Sequence, residues 1–582
     1  MQNRTCDLLV VGGGPAGCFA AIKAKEAGVQ DVLLVDKGYV GKSGCGAFGA
    51  GSFKAYLPEE DDWNLWYSKG VEEGYYMNDQ DWLTNHLKTV SQRVKDMESY
   101  GVVFEKNADG SYNRIEGQGS SQERPIKTLM FHGPQLMEIL RKTCEAKGIK
   151  IIDKVMVTDL LREKGDAKVI RGALGFHLET GKMFAFTAKA VILTTGAQGF
   201  KSHYAYLNMV TGDAHIMGLD AGAALTNYEF CLHHLTHTDF ESTGMNIVQG
   251  LNGIFVNRLG EDFTGKYDPE YKSHGNLWRL SSSMALEVHM GRGPIYIDFS
   301  SYSEDDCKLF AKTLPIMYRA FERAGYVKDY RMLKKRLEWV SAMSGNVGFG
   351  GGLWIDINGK TTLEGLYAAG DASYGAAAGV EGYTAYGMPF ATSSGAIVGT
   401  AAAQYVLNID YAAAIDQDQA AALAWKTTTP LRVEKGVDPN HVIIAVQEAL
   451  FPYEVYILRS EQKMQEALDR IMDLKQNEVP YLKAFDAHYL RTCIEAKNMV
   501  LCAEAFLRAA LYRKESRGSH IRLDYPEIDN TNWLKWILVE KKDDSLVLST
   551  KDIPIAGYPM KPEKPAVVHP VFEAVKNNGE EI

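Results

Sequence analysis

The chain begins with an apolar run that breaks into glycines, Asp7-Leu8-Leu9-Val10-Val11-Gly12-Gly13-Gly14-Pro15-Ala16-Gly17. The apolar residues predict a buried strand, and residues 18–27 predict the helix that follows it. Gly12 permits a tight turn, Gly14 allows backbone N–H groups to approach a diphosphate, and Gly17 allows the helix to pack closely on the strand. Because a helix N-terminus carries partial positive charge, this turn predicts an anion site.

A second apolar run, residues 32–35, ends in Asp36, nineteen residues beyond Gly17. A carboxylate at this position accepts hydrogen bonds from a ribose diol, so the two strands together predict a dinucleotide site. An acid here suits NAD as well as FAD, and a glycine turn without a ligand is the alternative. Residues 38–51 contain six glycines, which predicts either backbone that faces a flat ring or a flexible loop.

Length and composition indicate a globular protein with several domains. A chain of 582 residues is too long to fold around one hydrophobic core, and about two to four domains are expected. The content of 46% hydrophobic and 23% charged residues is ordinary for a globular protein. A net charge of -10 provides no basic face for nucleic acid or for an anionic membrane.

The cysteines argue against a metal centre in this chain. They occur without a CxxC or CxxxC pair, so no iron–sulfur or zinc ligand set is expected. No apolar run reaches the length of about 18 residues that crosses a bilayer, and the N-terminus lacks the features of a signal peptide. We therefore expect a cytoplasmic protein with reduced thiols and no direct membrane insertion; its eight cysteines are Cys6, Cys18, Cys45, Cys144, Cys231, Cys307, Cys493 and Cys502.

Further along the chain, hydrophobic periodicity predicts both strands and helices. Predicted strands cover residues 149–157, 157–162, 169–178, 183–191, 190–197 and 533–540. Predicted helices cover residues 81–100, 133–147, 213–221, 411–425, 439–447, 460–475 and 486–514, and another begins near residues 392–395. Residues 228–345 carry many His, Tyr and Trp residues and are expected to form an inserted domain that faces the substrate.

In this order, the segments resemble the flavoprotein subunits of fumarate reductase and succinate dehydrogenase, a family that includes L-aspartate oxidase and the adenylylsulfate reductase alpha subunit. The resemblance covers roughly residues 5–540. Its motifs include Thr211-Gly212-Asp213 and Glu515-Ser516-Arg517-Gly518-Ser519-His520, which precedes Asp524-Tyr525-Pro526. In style the chain is most similar to the adenylylsulfate reductase branch.

The resemblance implies an α/β fold: a two-dinucleotide, Rossmann-like FAD-binding domain with an inserted α+β capping domain and a C-terminal helical bundle. The expected boundaries are residues 1–227 and 346–410 for the two parts of the FAD-binding domain, 228–345 for the capping domain, 411–540 for the helical domain and 541–582 for a C-terminal tail.

The resemblance also implies the cofactor contacts. Gly12, Gly14 and Gly17 would lie at the diphosphate of FAD, Asp36 at the adenosine ribose, and residues 43–46 along the isoalloxazine. The full expected set is Gly12, Gly14, Pro15, Ala16, Gly17, Asp36, Lys37, Ser43, Gly44, Cys45, Gly46, Val155, Thr195, Gly196, Asp213, Gly370, Asp371, Ser393 and Ser394. Where succinate dehydrogenases attach the flavin through a histidine, this chain has Gly44, so we expect noncovalent FAD.

The catalytic motifs depart from the pattern for dicarboxylates. Residues 229–236 keep a histidine at His234 but lose the family's proline, and residues 250–253 lose the glutamate that relays protons. The family's proton-donating arginine is replaced by serine, with Arg279 nearby, and its carboxylate-binding arginine motif becomes Gly375-Ala376-Ala377-Ala378-Gly379. Since a diacid needs at least two cationic partners, we do not expect succinate or fumarate as the substrate.

The candidate catalytic residues are His234, Arg279, Glu381 and Tyr383. Each has a structural alternative: a hydrogen-bonded core histidine, a surface ion pair, or ordinary packing.

We interpret the chain as an FAD-dependent oxidoreductase that exchanges electrons between a small-molecule substrate and a separate iron–sulfur, ferredoxin-like partner, in a hetero-oligomer. Three alternatives stay open: an adenylylsulfate reductase alpha subunit, a stand-alone oxidase of the L-aspartate oxidase type, and a flavin-binding scaffold without catalysis.

Overall fold

A computed structural model describes most of the chain. The described residues are 1–49, 51–116, 119, 124–131, 133–202, 207–231, 233, 235–240, 253–340, 351–380, 386–410 and 412–582.

The centre of the fold is a five-stranded parallel sheet. Its strands are β2 (Leu8–Val11), β3 (Val32–Val35), β7 (Lys150–Ile152), β11 (Ala190–Leu193) and β20 (Leu366–Ala368). They lie in the order β20-β11-β2-β3-β7. The first four are buried, as expected for a parallel sheet that is covered on both faces, whereas β7 at the edge is partly exposed. The carboxyl ends of β2, β3 and β11 meet at one edge, where ligands bind in open α/β sheets.

Two helices pack against each other beside this sheet, α1 (Pro15–Glu26) and the longer helix Gly387–Leu407. Their backbones approach closely because the longer helix has glycines four residues apart. A Cβ at Gly395 would lie 2.4 Å from the carbonyl oxygen of Ala16, and one at Gly399 would lie 2.3 Å from that of Ala20. The position of α1 therefore depends on small residues in both helices.

Other strands surround the central sheet. Their bounds are β1 (Gln2–Thr5), β4 (Ser52–Phe53), β5 (Arg114–Glu116), β6 (Lys127–Met130), β8 (Val155–Glu163), β9 (Asp166–His177), β10 (Met183–Thr187), β12 (Leu225–Thr226), β13 (Thr236–His237), β14 (Ile254–Val256), β15 (Ile295–Asp298), β16 (Val327–Lys328), β17 (Arg331–Met332), β18 (Arg336–Val340), β19 (Gly352–Leu353), β21 (Leu458–Arg459), β22 (Ile521–Arg522), β23 (Glu527–Asp529), β24 (Lys535–Lys542), β25 (Ser545–Asp552) and β26 (Ala566–Val568). A second sheet has the order β1-β10-β9-β8, and an antiparallel sheet with the order β13-β18-β15-β14 lies within residues 228–345. The remaining strands form a sheet with the order β19-β12-β24-β25, a three-stranded sheet and three two-stranded pairs.

Helices cover the sheets and build the C-terminal region. Several begin with a side-chain cap, such as Asp79, Ser303 and Asp486, which accepts hydrogen bonds from the first-turn N–H groups. Their bounds are α2 (Trp63–Glu73), α3 (Gln80–Tyr100), α4 (Gly133–Ala146), α5 (Asp213–Ala221), α6 (Thr264–Tyr267), α7 (Leu277–His289), α8 (Glu304–Thr313), α9 (Pro315–Arg323), α10 (Tyr374–Ala378), α11 (Gly387–Leu407), α12 (Gln417–Thr427), α13 (Pro439–Leu450), α14 (Tyr453–Tyr456), α15 (Glu461–Asn477), α16 (Ala487–Tyr512) and α17 (Pro570–Asn577). Among the described residues, no helix is both long enough and apolar enough to cross a membrane.

The predicted helices over residues 81–100, 133–147, 213–221, 439–447, 460–475 and 486–514 are confirmed to within a few residues. Three predictions are wrong in detail. The strand over residues 149–157 is two strands, because Lys154, with φ of 60°, turns the chain from β7 into β8. The helix expected near residues 392–395 begins at Gly387. The helix expected over residues 411–425 begins at Gln417, where Asp416 caps it.

Residues 541–582 contain regular structure that the sequence pattern did not predict. β24 continues to Lys542 and pairs with β25 across the turn at Asp543, while β26 pairs with β23. The side chains of β25 are all at least partly exposed. The strand therefore carries little of the polar and apolar alternation by which a half-buried strand is predicted.

A buried network of charges joins the C-terminal region to the rest of the molecule. Arg513 donates to Glu229 and to Glu515, each over 2.7 Å, and Arg517 donates to Glu515 over 2.8 Å; all four side chains are at most 1% exposed. Burial and three neighbouring arginines lower the pKa of His520 well below its usual value, so this histidine is neutral. Residues 515–520 therefore contribute to the buried contacts between the C-terminal region and the segment around Glu229.

We predict that Arg513→Met lowers the free energy of unfolding by about 3–5 kcal/mol, because it leaves the buried Glu229 carboxylate without its ion-pair partner and Glu515 with Arg517 alone. Thermal and urea unfolding measure this loss. Arg470→Met is the control, since Arg470 forms an exposed ion pair with Asp473 and should change the midpoint little. Equal midpoints for both variants would contradict the proposed role of Arg513.

Candidate cofactor site

The turn after β2 is built by close contacts that only glycine permits. Gly12 has φ of 106°, and a Cβ there would lie 2.4 Å from the carbonyl oxygen of Thr194. A Cβ at Gly17 would lie 1.9 Å from the carbonyl oxygen of Gly12. At Gly14, which caps α1, a Cβ would have no neighbour within 4 Å. The turn is thus packed on one side and open on the side of the α1 N-terminus.

Asp36 braces the same turn from the end of β3. Its carboxylate accepts hydrogen bonds from the N–H groups of Gly13 and Gly38, both over 2.6 Å. Burial raises the pKa of Asp36, and the two N–H groups oppose that rise. The side chain therefore both shapes the turn and lines the adjoining cavity.

That cavity has a volume of about 290 Å³. It brings together residues from widely separated parts of the chain, most of them predicted from the sequence. The predicted residues that line it are Gly12, Gly14, Pro15, Ala16, Asp36, Lys37, Ser43, Gly44, Cys45, Gly46, Val155, Thr195, Gly196, Asp213, Gly370 and Asp371.

Three predicted cofactor residues do not line the cavity. Gly17 lies behind the turn, where it allows the close packing of α1. Ser393 and Ser394 lie inside α11 rather than at its start. Ser394 Oγ accepts a hydrogen bond of 2.9 Å from the N–H of Gly370, so its role is to hold the turn that carries Asp371. No hydrogen bond from the Ser393 hydroxyl is found among the described residues.

The shape and chemistry of the cavity fit FAD. The N-terminus of α1 offers N–H groups and partial positive charge to a diphosphate, and Asp36 offers a carboxylate to a ribose. Open space at Gly44, whose φ is 82°, leaves the backbone of residues 43–46 free to lie along a flat ring. A dinucleotide with a planar group at its far end therefore matches these residues.

Asp371 differs from the other lining side chains because burial alone raises its pKa to about 7. It follows Gly370, whose φ is 67°, on the tight turn after β20. Burial also raises the pKa of the Cys45 thiol, with a further contribution from the Asp371 charge. Near neutral pH the Asp371 carboxyl is thus about half protonated and can donate as well as accept a hydrogen bond.

Sequence reasoning missed a charged group at one end of the cavity. Lys201, Arg491 and Glu495 also line it, and Lys37 Nζ donates to Asp213 over 2.8 Å and to Glu495 over 3.1 Å. Arg491 and Glu495 lie on α16, far from the glycine turn in sequence. Their spacing of four residues places them on one helix face, but no local motif connects that face with the cofactor.

The candidate catalytic residues are only partly described. His234, Glu381 and Tyr383 lie outside the described residues. Arg279 lies on α7, does not line the cavity, and forms an ion pair of 3.4 Å with Asp268. Its guanidinium group also lies 4.9 Å from the ring centre of Trp278. Two neighbouring histidines belong to the packed interior: His233 Nδ1 lies 2.7 Å from Ser281 Oγ, and burial lowers the pKa of His237 to about 4.

Comparison with known families agrees with this geometry. Residues 7–387 match the family model described as an FAD binding domain, and residues 448–566 match the one described as the fumarate reductase flavoprotein C-term. The chain belongs to the fumarate reductase and succinate dehydrogenase flavoprotein family.

Individual proteins resemble almost the whole chain. The matching chain of the fumarate reductase (CoM/CoB) of Methanothermobacter marburgensis is 27% identical, over 92% of this chain and 97% of its own length. The fumarate reductase flavoprotein subunit of Haemophilus influenzae is 25% identical, over 92% of each. The solved quinol fumarate reductase of E. coli has a TM-score of 0.86 at 24% identity, covering 96% of this chain and 98% of that chain. Adenylylsulfate reductase of Archaeoglobus fulgidus has a TM-score of 0.78 at 23% identity, over 95% of this chain and 96% of that chain.

The predicted family, fold class and cofactor are therefore confirmed. This flavoprotein is an FAD-dependent oxidoreductase, and FAD is its cofactor.

We predict that two alanine substitutions in the glycine turn affect different properties, one the stability of the apoprotein and the other FAD binding. Gly17→Ala should destabilise the apoprotein, because its methyl group overlaps the Gly12 carbonyl. Gly14→Ala should leave apoprotein stability nearly unchanged, because its methyl group meets no atom within 4 Å, but weaken FAD binding, because Gly14 lines the cavity and this glycine lets the backbone approach the diphosphate. Thermal unfolding without FAD and equilibrium FAD binding measure the two effects.

Gly557→Ala is a matched control, since a Cβ there also meets no atom within 4 Å and the residue does not line the cavity. It should change neither property. If Gly14→Ala bound FAD as tightly as this control, the diphosphate would not lie at the α1 N-terminus.

Asp371 predicts a pH dependence of apoprotein stability. Since its folded pKa of about 7 exceeds its usual value of 3.8, the folded state holds a proton that the unfolded state releases between these values. Stability from this group falls as pH rises through that window. Asp371→Asn should therefore be more stable than the wild type at pH 7.5 but not at pH 3.5. Unfolding midpoints at both pH values test this, and an equal gain at each would contradict it.

Proposed function

We propose that this chain is a catalytic flavoprotein subunit that exchanges electrons between a small-molecule substrate and a separate iron–sulfur, ferredoxin-like protein. The proposal includes noncovalent FAD and a substrate that is not a C4 dicarboxylate. One observation supports a substrate other than a C4 dicarboxylate: the part of α7 where relatives of this family are expected to place a cation has three serines whose hydroxyl groups are already engaged.

The hydroxyl groups of these serines bond within their own helix. Ser281 donates to the carbonyl of Trp278 over 3.1 Å, and Ser282 and Ser283 donate to the carbonyl of Arg279 over 3.0 and 2.7 Å. The side chain of Arg279 pairs with Asp268. A charged diacid loses water when it enters a site and needs cations to replace it. In this stretch of α7 the one cation already has a counter-ion and the three serine hydroxyl groups are engaged, which supports a substrate of another class.

FAD, when bound, accepts and donates the electron pair. The chain's own residues bind and orient it. The N-terminus of α1 would hold the diphosphate and Asp36 would orient the ribose, while the turn of Gly370, held by Ser394, places the Asp371 carboxyl in the cavity wall. At its raised pKa, Asp371 holds a proton on one carboxyl oxygen in about half of the molecules near neutral pH.

The cysteines and the relatives both support a separate electron-transfer partner. Across the described residues no group of three or more His, Cys, Asp or Glu side chains is arranged to hold a metal ion. The cysteines are spread along the chain, with Cys493 and Cys502 on one helix, α16, and seven of the eight are buried. Several relatives are named as subunits rather than as whole enzymes. A separate partner protein that carries the iron–sulfur clusters is the simplest arrangement consistent with these observations.

An anaerobic titration tests this function. The FAD-loaded protein is mixed with reduced ferredoxin, and flavin bleaching is followed by absorbance. We expect reduced ferredoxin to bleach the flavin and succinate not to bleach it. When air is then admitted, we expect the reduced flavin to be reoxidised slowly. Rapid bleaching by succinate would contradict the substrate proposal, rapid peroxide formation would favour an oxidase, and bleaching by AMP with sulfite would favour adenylylsulfate reductase. A flavin that no donor reduces would favour a scaffold.

The noncovalent cofactor gives a separate prediction. Because residue 44 is glycine, no side chain there can attach the flavin. Precipitation with acid should release all yellow colour into the supernatant and leave a colourless pellet. A succinate dehydrogenase with covalent flavin, treated in parallel, should give a yellow pellet. Colour in the pellet of this protein would contradict the proposal.

A further inference from the structure

One face of α16 reaches the cofactor cavity from outside the FAD-binding region. Arg491, Glu495, Asn498 and Cys502 follow one another at intervals of four, three and four residues, which places them on a single helix face. Arg491 and Glu495 line the cavity. Asn498 donates a hydrogen bond of 3.1 Å to Asp213 at the start of α5. Cys502 packs against Gly212, where a Cβ would lie 2.5 Å from its sulfur.

Glu495 is the centre of this contact. Its side chain is only 2% exposed, and its two carboxylate oxygens lie 3.1 Å from Lys37 Nζ and 2.8 Å from Lys201 Nζ. The Arg491 guanidinium lies 3.8 Å away. Burial disfavours the charged form, but Lys37, Lys201 and Arg491 outweigh burial and lower the pKa of Glu495 to about 2. Glu495 is therefore ionised near neutral pH.

The two lysines that Glu495 holds come from different segments. Lys37 directly follows Asp36, the residue suited to the adenosine ribose, and Lys201 lies beyond β11 on another wall of the cavity. Lys37 has a second counter-ion in Asp213, whereas Lys201 is paired with Glu495. Without the Glu495 charge, three partly exposed cations would share one corner of the cavity with a single carboxylate, that of Asp213.

We propose that α16 forms a wall of the cavity at the adenosine end of FAD, and that Glu495 is a positioning residue that fixes Lys37 and Lys201 there. FAD retention and docking of the C-terminal helices are then a single coupled event. This inference concerns cofactor binding alone and holds whichever substrate or partner the enzyme uses.

The test compares two variants on the same helix, Glu495→Gln and Glu504→Gln. Glu504 is the matched control because it is 1% exposed and pairs with Lys475 and Arg508 over 2.6 and 2.8 Å, but it does not line the cavity. FAD binding to each apoprotein is measured by equilibrium dialysis, and apoprotein stability by thermal unfolding. Glu495→Gln should raise the Kd for FAD about tenfold or more, and Glu504→Gln should leave it within about twofold, even though both lose stability.

Lys201→Met, which removes a partly exposed partner of Glu495, keeps the test decisive if Glu495→Gln does not fold. It should raise the Kd for FAD about threefold or more. Hydrogen exchange provides a second measurement. FAD should slow amide exchange in residues 487–502 of the wild type, and it should slow exchange there much less in Lys201→Met. Unchanged FAD affinity in Glu495→Gln or in Lys201→Met, or equal weakening in Glu504→Gln, would overturn the proposal. The ferredoxin titration does not depend on any of these results, so the two proposals can fail separately.

Discussion

The structure depends on how closely a strand, a turn and a helix approach one another at the edge of the central sheet. Gly17 lies against the carbonyl of Gly12, and Gly12 lies against the carbonyl of Thr194. Thr194 in turn donates from its hydroxyl to the Gly12 carbonyl over 2.8 Å. These contacts fix the start of α1, and the start of α1 sets where a diphosphate binds. The small residues between α1 and α11 hold the same helix from its other side.

The remaining parts of the molecule are arranged so that this edge is enclosed. The turn at Gly370 is tied to α11 through Ser394, and α16 closes the corner near Lys37. Farther away, the buried arginines and glutamates of residues 513–522 join the C-terminal region to Glu229. Buried ion pairs of this kind contribute little net stability, but an arrangement that separates the partners leaves an uncompensated buried charge. The charges thus specify how the regions fit together around a cavity that the glycines define.

Much of this was predictable because local patterns carried it. The glycine turn, Asp36 and the long amphipathic helices each follow from a few neighbouring residues. What could not be predicted depends on distant contacts. Glu495 lies far from Lys37 in sequence, and the two side chains form an ion pair only once α16 packs on α5. The start of α11 was misplaced because Ser393 and Ser394 resemble helix caps, whereas the structure uses Ser394 inside the helix to hold Gly370. The strand β25 was missed because it is mostly exposed and pairs only with its neighbour.

The most direct measurement is a crystal structure of the protein purified with its own flavin. The account predicts density for the adenosine beside Asp36 and Lys37, for the diphosphate at the N-terminus of α1, and for the ring system along residues 43–46 without a bond to the chain. Flavin density in another cavity, a reversed orientation, or a covalent link to a side chain would contradict it.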